Sequence, residues 1–556
     1  MPIIYTPSSI WKNFFVDAEP SFISGGQKVQ DGIIFENGYI EGRYVDGVRI
    51  KIFVSSARRE KNKMPAVLVF NDFSINEDKN LLVELANQGY FAVMINVAGK
   101  TEASENYTVY PEKISFANLE ESNYKATEIN EDITKICYYE WCGVAQYVVS
   151  YLKSLSFVSK IGALGINDGA TTLWHLLATT EDITCAVFVN NTGWKVYEGK
   201  SKFLSGVEEG YSDGKIAYSA GIEPQSYATH IKCPTLILSC TNSKDYDCDR
   251  AYDTFARIDE KLYKAISYSV NRTFSIQKST FADGLIFFEK FLQSKRTILP
   301  KPIELKTSEE ENLTITAQVD TRNVKSVSLY VAEGVIEPRE RCWKKYSEIT
   351  ASEDKYVFEY LPNIQNGFVC WFVKAEYKNG YEVCSRIFAK QIIAKAKKST
   401  KASNIVYTSR EPLFDSQFAS ANEDEIKSVI DVMGDAEVEV KTGPFKMLGI
   451  TGKGGIYSFN VCIDKISKDA NSVLMFDVNL KNSGTIVVKL VTDCFNNRVE
   501  YSASANVVGE NIWQNVKFSI NNFKTIEGLP LKSYEKIQVI EFNSSEEFLI
   551  NNVLWI

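Results

Sequence analysis

The stretch Lys160-Ile161-Gly162-Ala163-Leu164-Gly165-Ile166-Asn167-Asp168-Gly169-Ala170 decides how this chain folds. Its first half is a run of small and branched apolar residues, as a strand buried on both faces requires. DGATTLWHLLATT (168–180) follows without a break and reads as a helix. A strand therefore passes into a helix through one residue, Asn167, set between Gly165 and Gly169. Glycine is needed on both sides because the central residue sits in a strained turn, with the helix backbone close by.

Working outward, the same alternation continues in both directions. Upstream lie MPAVLVFND (64–72) as a buried strand, NLLVELANQGY (80–90) as a helix with Gly89 near its C-cap, and FAVMINV (91–97) as a strand. Helical periodicity covers 131–155, where YYEWCGVAQYVVSYLKSL is amphipathic. Downstream come strands CAVFVNN (185–191), TLILSC (235–240) and KAISYSV (264–270), a helix near 249–262, and a closing helix GLIFFEKFLQS (284–294). Such alternation implies a mostly parallel sheet with helices on both faces. Residues 1–60 add short strands, with turns expected at Asn37-Gly38 and Asp46-Gly47.

LPKPIE (299–304) marks a change of pattern. Beyond it LTITAQVD, SVSLYVAE, YVFEYLP and FVCWFVKAEY alternate with period two and no helix intervenes, which suggests an Ig-like sandwich over 299–395. Its Trp343 and Trp371 are expected in the core, and the module is expected to brace its neighbour. AKAKKSTKAS (394–403) reads as an exposed linker, placed at 396–405. The strands of 406–556, among them SVLMFDVNL, TIVVKLVTD and FLINNVLWI, suggest a jelly-roll sandwich. The expected architecture is one α/β domain over 1–298 followed by two all-β modules.

Composition excludes several classes. A net charge of −8 without a basic stripe gives no general attraction to nucleic acid or to an anionic membrane. No apolar run is long enough to span a bilayer. The N-terminal MPIIYTPSSIWKNFF lacks a secretory pattern, so the expectation is cytoplasmic if Met1 is the native start, with an extracellular location still open. Eleven scattered cysteines with no CxxC pair predict reduced, buried thiols rather than a metal cluster. Histidine chemistry has only His175 and His230 to draw on.

The strand–turn–helix setting of Gly165-x-Asn167-x-Gly169, with the preceding YLKSLSFVSKIGALG, resembles the nucleophile elbow of the α/β-hydrolase superfamily. The dienelactone hydrolase and acetyl xylan esterase-like branch is the most similar, over about residues 60–295. The resemblance implies a serine at position 167, where a carboxamide supplies neither a nucleophile nor a useful proton donor. It puts the acid after TLILSC, at or near Ser243 with Asp245 and Asp247 beside it, and the histidine after KAISYSV, where Arg272 or Thr273 stands instead. His175, eight residues beyond Asn167, is about 12 Å along the helix. His230 precedes a strand and so falls at the wrong edge of the sheet. Both are expected to be structural, and Asp168 to serve the helix start as a cap or dipole partner.

What survives is a pocket built from Asn71, Asp72, Asn167 and Asp168, with the Asp168 N–H able to hold a carbonyl oxygen or anion. The leading expectation is a catalytically degenerate esterase-like protein that binds a carbohydrate, an acylated glycan or a protein partner. One alternative is a working ester hydrolase using the carboxylates of Asp168, Asp245 and Asp247. A scaffolding protein is the other.

The C-terminal motifs WQNVKFSINNF (513–523), KIQVIEF and FLINNVLWI resemble carbohydrate-binding jelly rolls and the related complex I intermediate-associated type. Trp513 and Trp555 are expected in the core, leaving Tyr457, Phe445 and Phe495 as candidates for sugar stacking. The resemblance implies a structural calcium ion at most; no D-x-D-x-D-G loop accompanies it. No other cofactor or metal is expected.

Overall fold

The computed structural model describes residues 4–556 except 13, 17–18, 76, 102–104, 205–210, 244, 309–312, 351–354, 363–365, 394–403, 411–417, 421–437, 462–470 and 495–496. The expected linker therefore falls largely outside the described residues, as does Phe495.

The first domain is built on a nine-stranded sheet. In chain order its strands are β1 (Phe22–Gln30), β2 (Ile33–Val45), β3 (Val48–Arg58), β4 (Met64–Phe70), β5 (Phe91–Ile95), β6 (Val158–Ile166), β7 (Ile183–Val189), β8 (Thr235–Cys240) and β9 (Lys264–Ser269). They lie side by side as β1-β2-β3-β5-β4-β6-β7-β8-β9. Strands β4 to β9 are mutually parallel, and β1–β3 join antiparallel at one edge. The helices are α1 (Pro7–Ile10), α2 (Lys79–Asn87), α3 (Cys137–Ser154), α4 (Asp168–Leu177), α5 (Asp213–Gly221), α6 (Pro224–Tyr227), α7 (Cys248–Arg257) and α8 (Lys278–Phe291).

Period-two alternation sends Leu68 and Phe70 to the face covered by α3, α4 and α7, and Val67 and Val69 to the face covered by α2 and α8. Because the strands run parallel, the loops after β4, β6, β7, β8 and β9 all gather at one edge of the sheet. That is where such folds place their sites.

One expected turn is corrected. Asp46-Gly47 does turn β2 into β3, with φ of 50° and 80°, but Asn37-Gly38 lies inside β2 opposite Ser24 and Gly26. A Cβ on Gly38 would lie 2.4 Å from the Ile23 carbonyl oxygen and 2.6 Å from the Phe22 ring. The glycine there admits close packing, and a bulge at Ser24/Gly26 absorbs the irregularity.

The middle module packs a three-stranded sheet (Glu304–Thr307, Leu313–Gln318, Lys355–Tyr360) against a five-stranded one (Lys344–Thr350, Val324–Gly334, Asn366–Tyr377, Glu382–Cys384, Phe388–Ile393). Trp343 and Trp371 are buried, as expected. Its core is continuous with the first domain: Ile315, Phe358 and Trp371 pack in one cluster with Leu238, Phe281 and Phe288. On the other face Phe372 meets Tyr268 edge to face at 5.1 Å. The last module folds its described strands, Ile405–Tyr407 to Phe548–Trp555, into two antiparallel sheets around a separate core.

Candidate functional site

At the elbow, Asn167 adopts φ 48° and ψ −121°, a conformation that costs a non-glycine residue about 1–3 kcal/mol. It is held by what surrounds it. A Cβ on Gly169 would lie 2.3 Å from the Asn71 carbonyl oxygen, and one on Gly165 would lie 2.8 Å from the Ala170 Cα. Strand β6, helix α4 and the end of β4 therefore close in as only glycine allows. The Asn167 backbone N–H donates to the Val189 carbonyl at 3.1 Å.

Asn167 is 1% exposed. Its Oδ1 accepts from Asn190 Nδ2 at 2.7 Å. Asn190 in turn accepts from the Cys240 N–H at 2.8 Å and donates to the Phe274 carbonyl at 3.2 Å. Through Asn190 the carboxamide is thus tied to the loops after β7 and β9 and to the end of β8. Asn167→Ala removes this bond and keeps the strained turn, so it lowers stability by about 0.5–1.5 kcal/mol. Asn167→Gly relieves the strain and falls less far. Urea unfolding that ranks alanine level with the natural residue would show that this bond carries no weight.

Beside the elbow opens a cavity of about 370 Å³. Asp72 and Asp168 line it; Asn71 and Asn167, expected in the same pocket, do not. The cause is the pinning just described, together with the Asn71 side chain turning back to donate to the Ile75 carbonyl at 3.1 Å. The residue offered to the cavity is Asp168. It opens α4 in the positive field of the helix dipole, but its carboxylate does not act as a cap. Its Oδ1 accepts from Tyr246 Oη at 2.9 Å and pairs with Lys195 Nζ at 3.1 Å. Burial pushes the Asp72 carboxyl up from the ordinary range, opposed by hydrogen bonds from Ser74 and reinforced by the Asp168 charge. Burial and Asp168 together hold the Tyr246 phenol far above its usual value.

Of the acid-loop candidates, Ser243, Asp245 and Asp247 all line this cavity. Ser243 Oγ accepts from the Tyr246 N–H at 3.2 Å. Asp247 caps α7 through the Asp249 N–H at 2.9 Å and pairs with Arg250 at 3.1 Å. Burial, then the neighbouring Asp249 charge, raises the Asp247 carboxyl. Asp247, Cys248 and Asp249 bring ligand atoms within 4.8 Å of one another, a metal-like grouping. Both carboxylates are spent, however, since Asp249 is taken by Arg341 with two contacts of 2.6 Å.

At the base position Arg272 is 2% exposed and Thr273 half-buried. The loop carrying them is docked to the middle module: Asn271 Nδ2 donates to the Trp343 carbonyl at 2.9 Å and its Oδ1 accepts the Trp343 N–H at 2.8 Å. His175 is buried away from the cavity, bonded to the Ile222 carbonyl at 2.7 Å, and His230 contacts Ser8 at 3.0 Å.

Sequence reasoning missed Lys195, Tyr246 and Asn190. Tyr246 stood in the acid loop, where only carboxylates were sought. Lys195 and Asn190 lie in the loop after β7, which carries no motif. In the last module Trp555 is core, while Trp513 is half-buried against Gly443 and Gly449 and bonds the Pro444 carbonyl at 3.0 Å. Phe445 is 85% exposed and Tyr457 half-buried.

A parallel sheet, helices on both faces and a strand–elbow–helix turn at the sheet's carboxyl edge define the first domain as α/β-hydrolase-like. Solved structures similar to the chain include an acetyl xylan esterase from Paenibacillus sp. R4, at 13% identity over 51% of this chain and 92% of that one, TM-score 0.37. An esterase from an Arctic intertidal metagenomic library matches at 12% identity over 49% of this chain and 99% of its own, TM-score 0.34. A Pyrococcus horikoshii acylaminoacyl peptidase matches at 13% over 50% and 51%, TM-score 0.34. No family model and no curated protein sequence matches the chain.

Proposed function

We propose that the chain is a catalytically degenerate, esterase-like protein whose cavity beside the elbow binds a ligand, a carbohydrate or an acylated glycan, in place of turning it over. The observation that carries this is Asn167: it stands at the nucleophile position, 1% exposed, with its Oδ1 taken by Asn190 at 2.7 Å. No histidine occurs in the 271–280 loop. The scaffolding alternative is less well supported, because a cavity of about 370 Å³ remains open beside the elbow. Acidic Asp168 and Asp245 interleave with basic Lys195 and Arg339 around it, which suits a neutral ligand that both donates and accepts hydrogen bonds. In this reading residues 1–298 hold the cavity, 299–395 brace it, and 406–556 form a separately cored appendage. A protein partner is the second occupant proposed; nucleic acid and membrane surfaces are not. Among the described residues no helix is long and apolar enough to cross a membrane.

A second reading, ester hydrolysis by carboxylates, is favoured by one observation: Asp168, Asp245 and Asp247 share a cavity, as does Asp72. Hydrolysis of p-nitrophenyl acetate separates the two. Background rates for the natural chain and for Asn167→Ala are expected. Turnover abolished by Asp168→Asn would establish the carboxylate route and overturn the binding reading.

A further inference from the structure

Part of the cavity wall comes from a different module. Glu337, Pro338 and Arg339, at the tip of a turn in the middle sandwich, line the cavity together with Asp168 and Lys195. That turn is tied at several points. Pro338 opens a short helical turn, closed by the Glu340 N–H to the Glu337 carbonyl at 3.2 Å. The Arg341 guanidinium donates back to the Ile336 carbonyl, so it clasps the near end. Asn242, in the loop after β8, donates to the Arg341 carbonyl at 2.6 Å and to the Arg339 carbonyl at 3.3 Å. Glu337 Oε1 accepts from Arg339 Nε at 2.9 Å and orients that side chain.

Beneath the turn lies a pair that stability alone does not account for. Asp249 and Arg341 are both 0% exposed and meet in a two-pronged contact, 2.6 Å at each prong. Stripping water from two charges offsets most of their attraction, and a hydrophobic pair of similar volume often holds as well or better. The modules already share a continuous core. What the paired charges add is register, because planar guanidinium and carboxylate groups accept one relative position.

We infer that the ligand site is shared by two modules, with Arg339 of the middle sandwich contacting the ligand and the Asp249–Arg341 pair positioning the turn that carries it. This rests on the reading that the cavity binds a ligand. Arg339 lines the same cavity as the Asp168–Lys195–Tyr246 group, so a molecule filling it touches both modules.

Calorimetric titration of the full chain with acetylated xylotriose tests this, alongside thermal unfolding of each variant. The natural chain is expected to bind. Arg339→Ala weakens binding about 10- to 100-fold, the range for a lost charged hydrogen bond, with the unfolding midpoint unchanged. The double variant Asp249→Leu/Arg341→Met keeps or raises the midpoint yet loses about tenfold in affinity through lost preorganisation. A merely structural pair would lower the midpoint and leave affinity alone. Undiminished affinity in both variants overturns the shared site and leaves the binding reading standing. No heat with the natural chain overturns the binding reading, and the shared site falls with it.

Discussion

Arg341→Ala lowers the stability of the first two modules by about 3–5 kcal/mol, the cost of leaving a buried partner charge uncompensated. The partner is Asp249, 0% exposed, which loses both of its 2.6 Å contacts. The Ile336 carbonyl loses its donor as well. Neither group can turn to water without opening the junction between α7 and the sandwich. Asp249→Ala falls by a similar amount, with the charge stranded on the arginine instead. Urea unfolding checks this, and two transitions are expected. The first domain and middle module share a core and unfold together, while the last module has its own. The substitution should move only the transition of the shared core. A shift below about 1 kcal/mol would mean that the pair is hydrated in solution.

The second large effect is a pH dependence set by His175. Its ring is fully buried among Trp11, Tyr138 and Tyr227, and Nε2 bonds the Ile222 carbonyl at 2.7 Å. Burial pushes its pKa down from 6.5 to about 4, partly offset by that hydrogen bond. The folded value is depressed, so above pH 6.5 the ring is neutral in both states and stability is intact. As pH falls from 6.5 towards 4, the unfolded chain takes up a proton that the folded chain refuses. The loss integrates to about 3 kcal/mol. Asp72, Glu140, Glu223 and Asp283 act oppositely, since burial raises their pKa values and acid favours their folded forms. The informative quantity is therefore the difference between the natural chain and His175→Gln, which retains a donor for Ile222. That difference should change by about 3 kcal/mol between pH 7 and pH 4. Parallel profiles would place a proton on the buried ring.

Much of the first domain is legible in its sequence because buried parallel strands are continuous apolar runs. Thr235–Cys240 and Met64–Phe70 emerge where MPAVLVFND and TLILSC predict them. Helix α5 escapes notice because Gly214 and Gly221 spoil its pattern and its stability comes from packing. Asn37-Gly38 misleads because a turn dipeptide and a close-packing glycine look alike in one dimension. The elbow is also readable, since Gly165 and Gly169 are demanded by backbone contact whatever residue stands between them. The cavity is not. Asp168, Lys195 and Tyr246 meet across loops, and Arg341 finds Asp249 across 92 positions of chain. No periodicity records such pairings.

The docking of the middle module onto the loops after β8 and β9 sets the backbone at the base position. Asn271 pairs its carboxamide with the Trp343 backbone, Asn242 Nδ2 donates to the Arg339 and Arg341 carbonyls, and the Arg272 carbonyl accepts the Asn242 N–H at 3.0 Å. A side chain placed at 272 or 273 therefore takes its aim from the neighbouring module, and the interface acts as a jig for this loop.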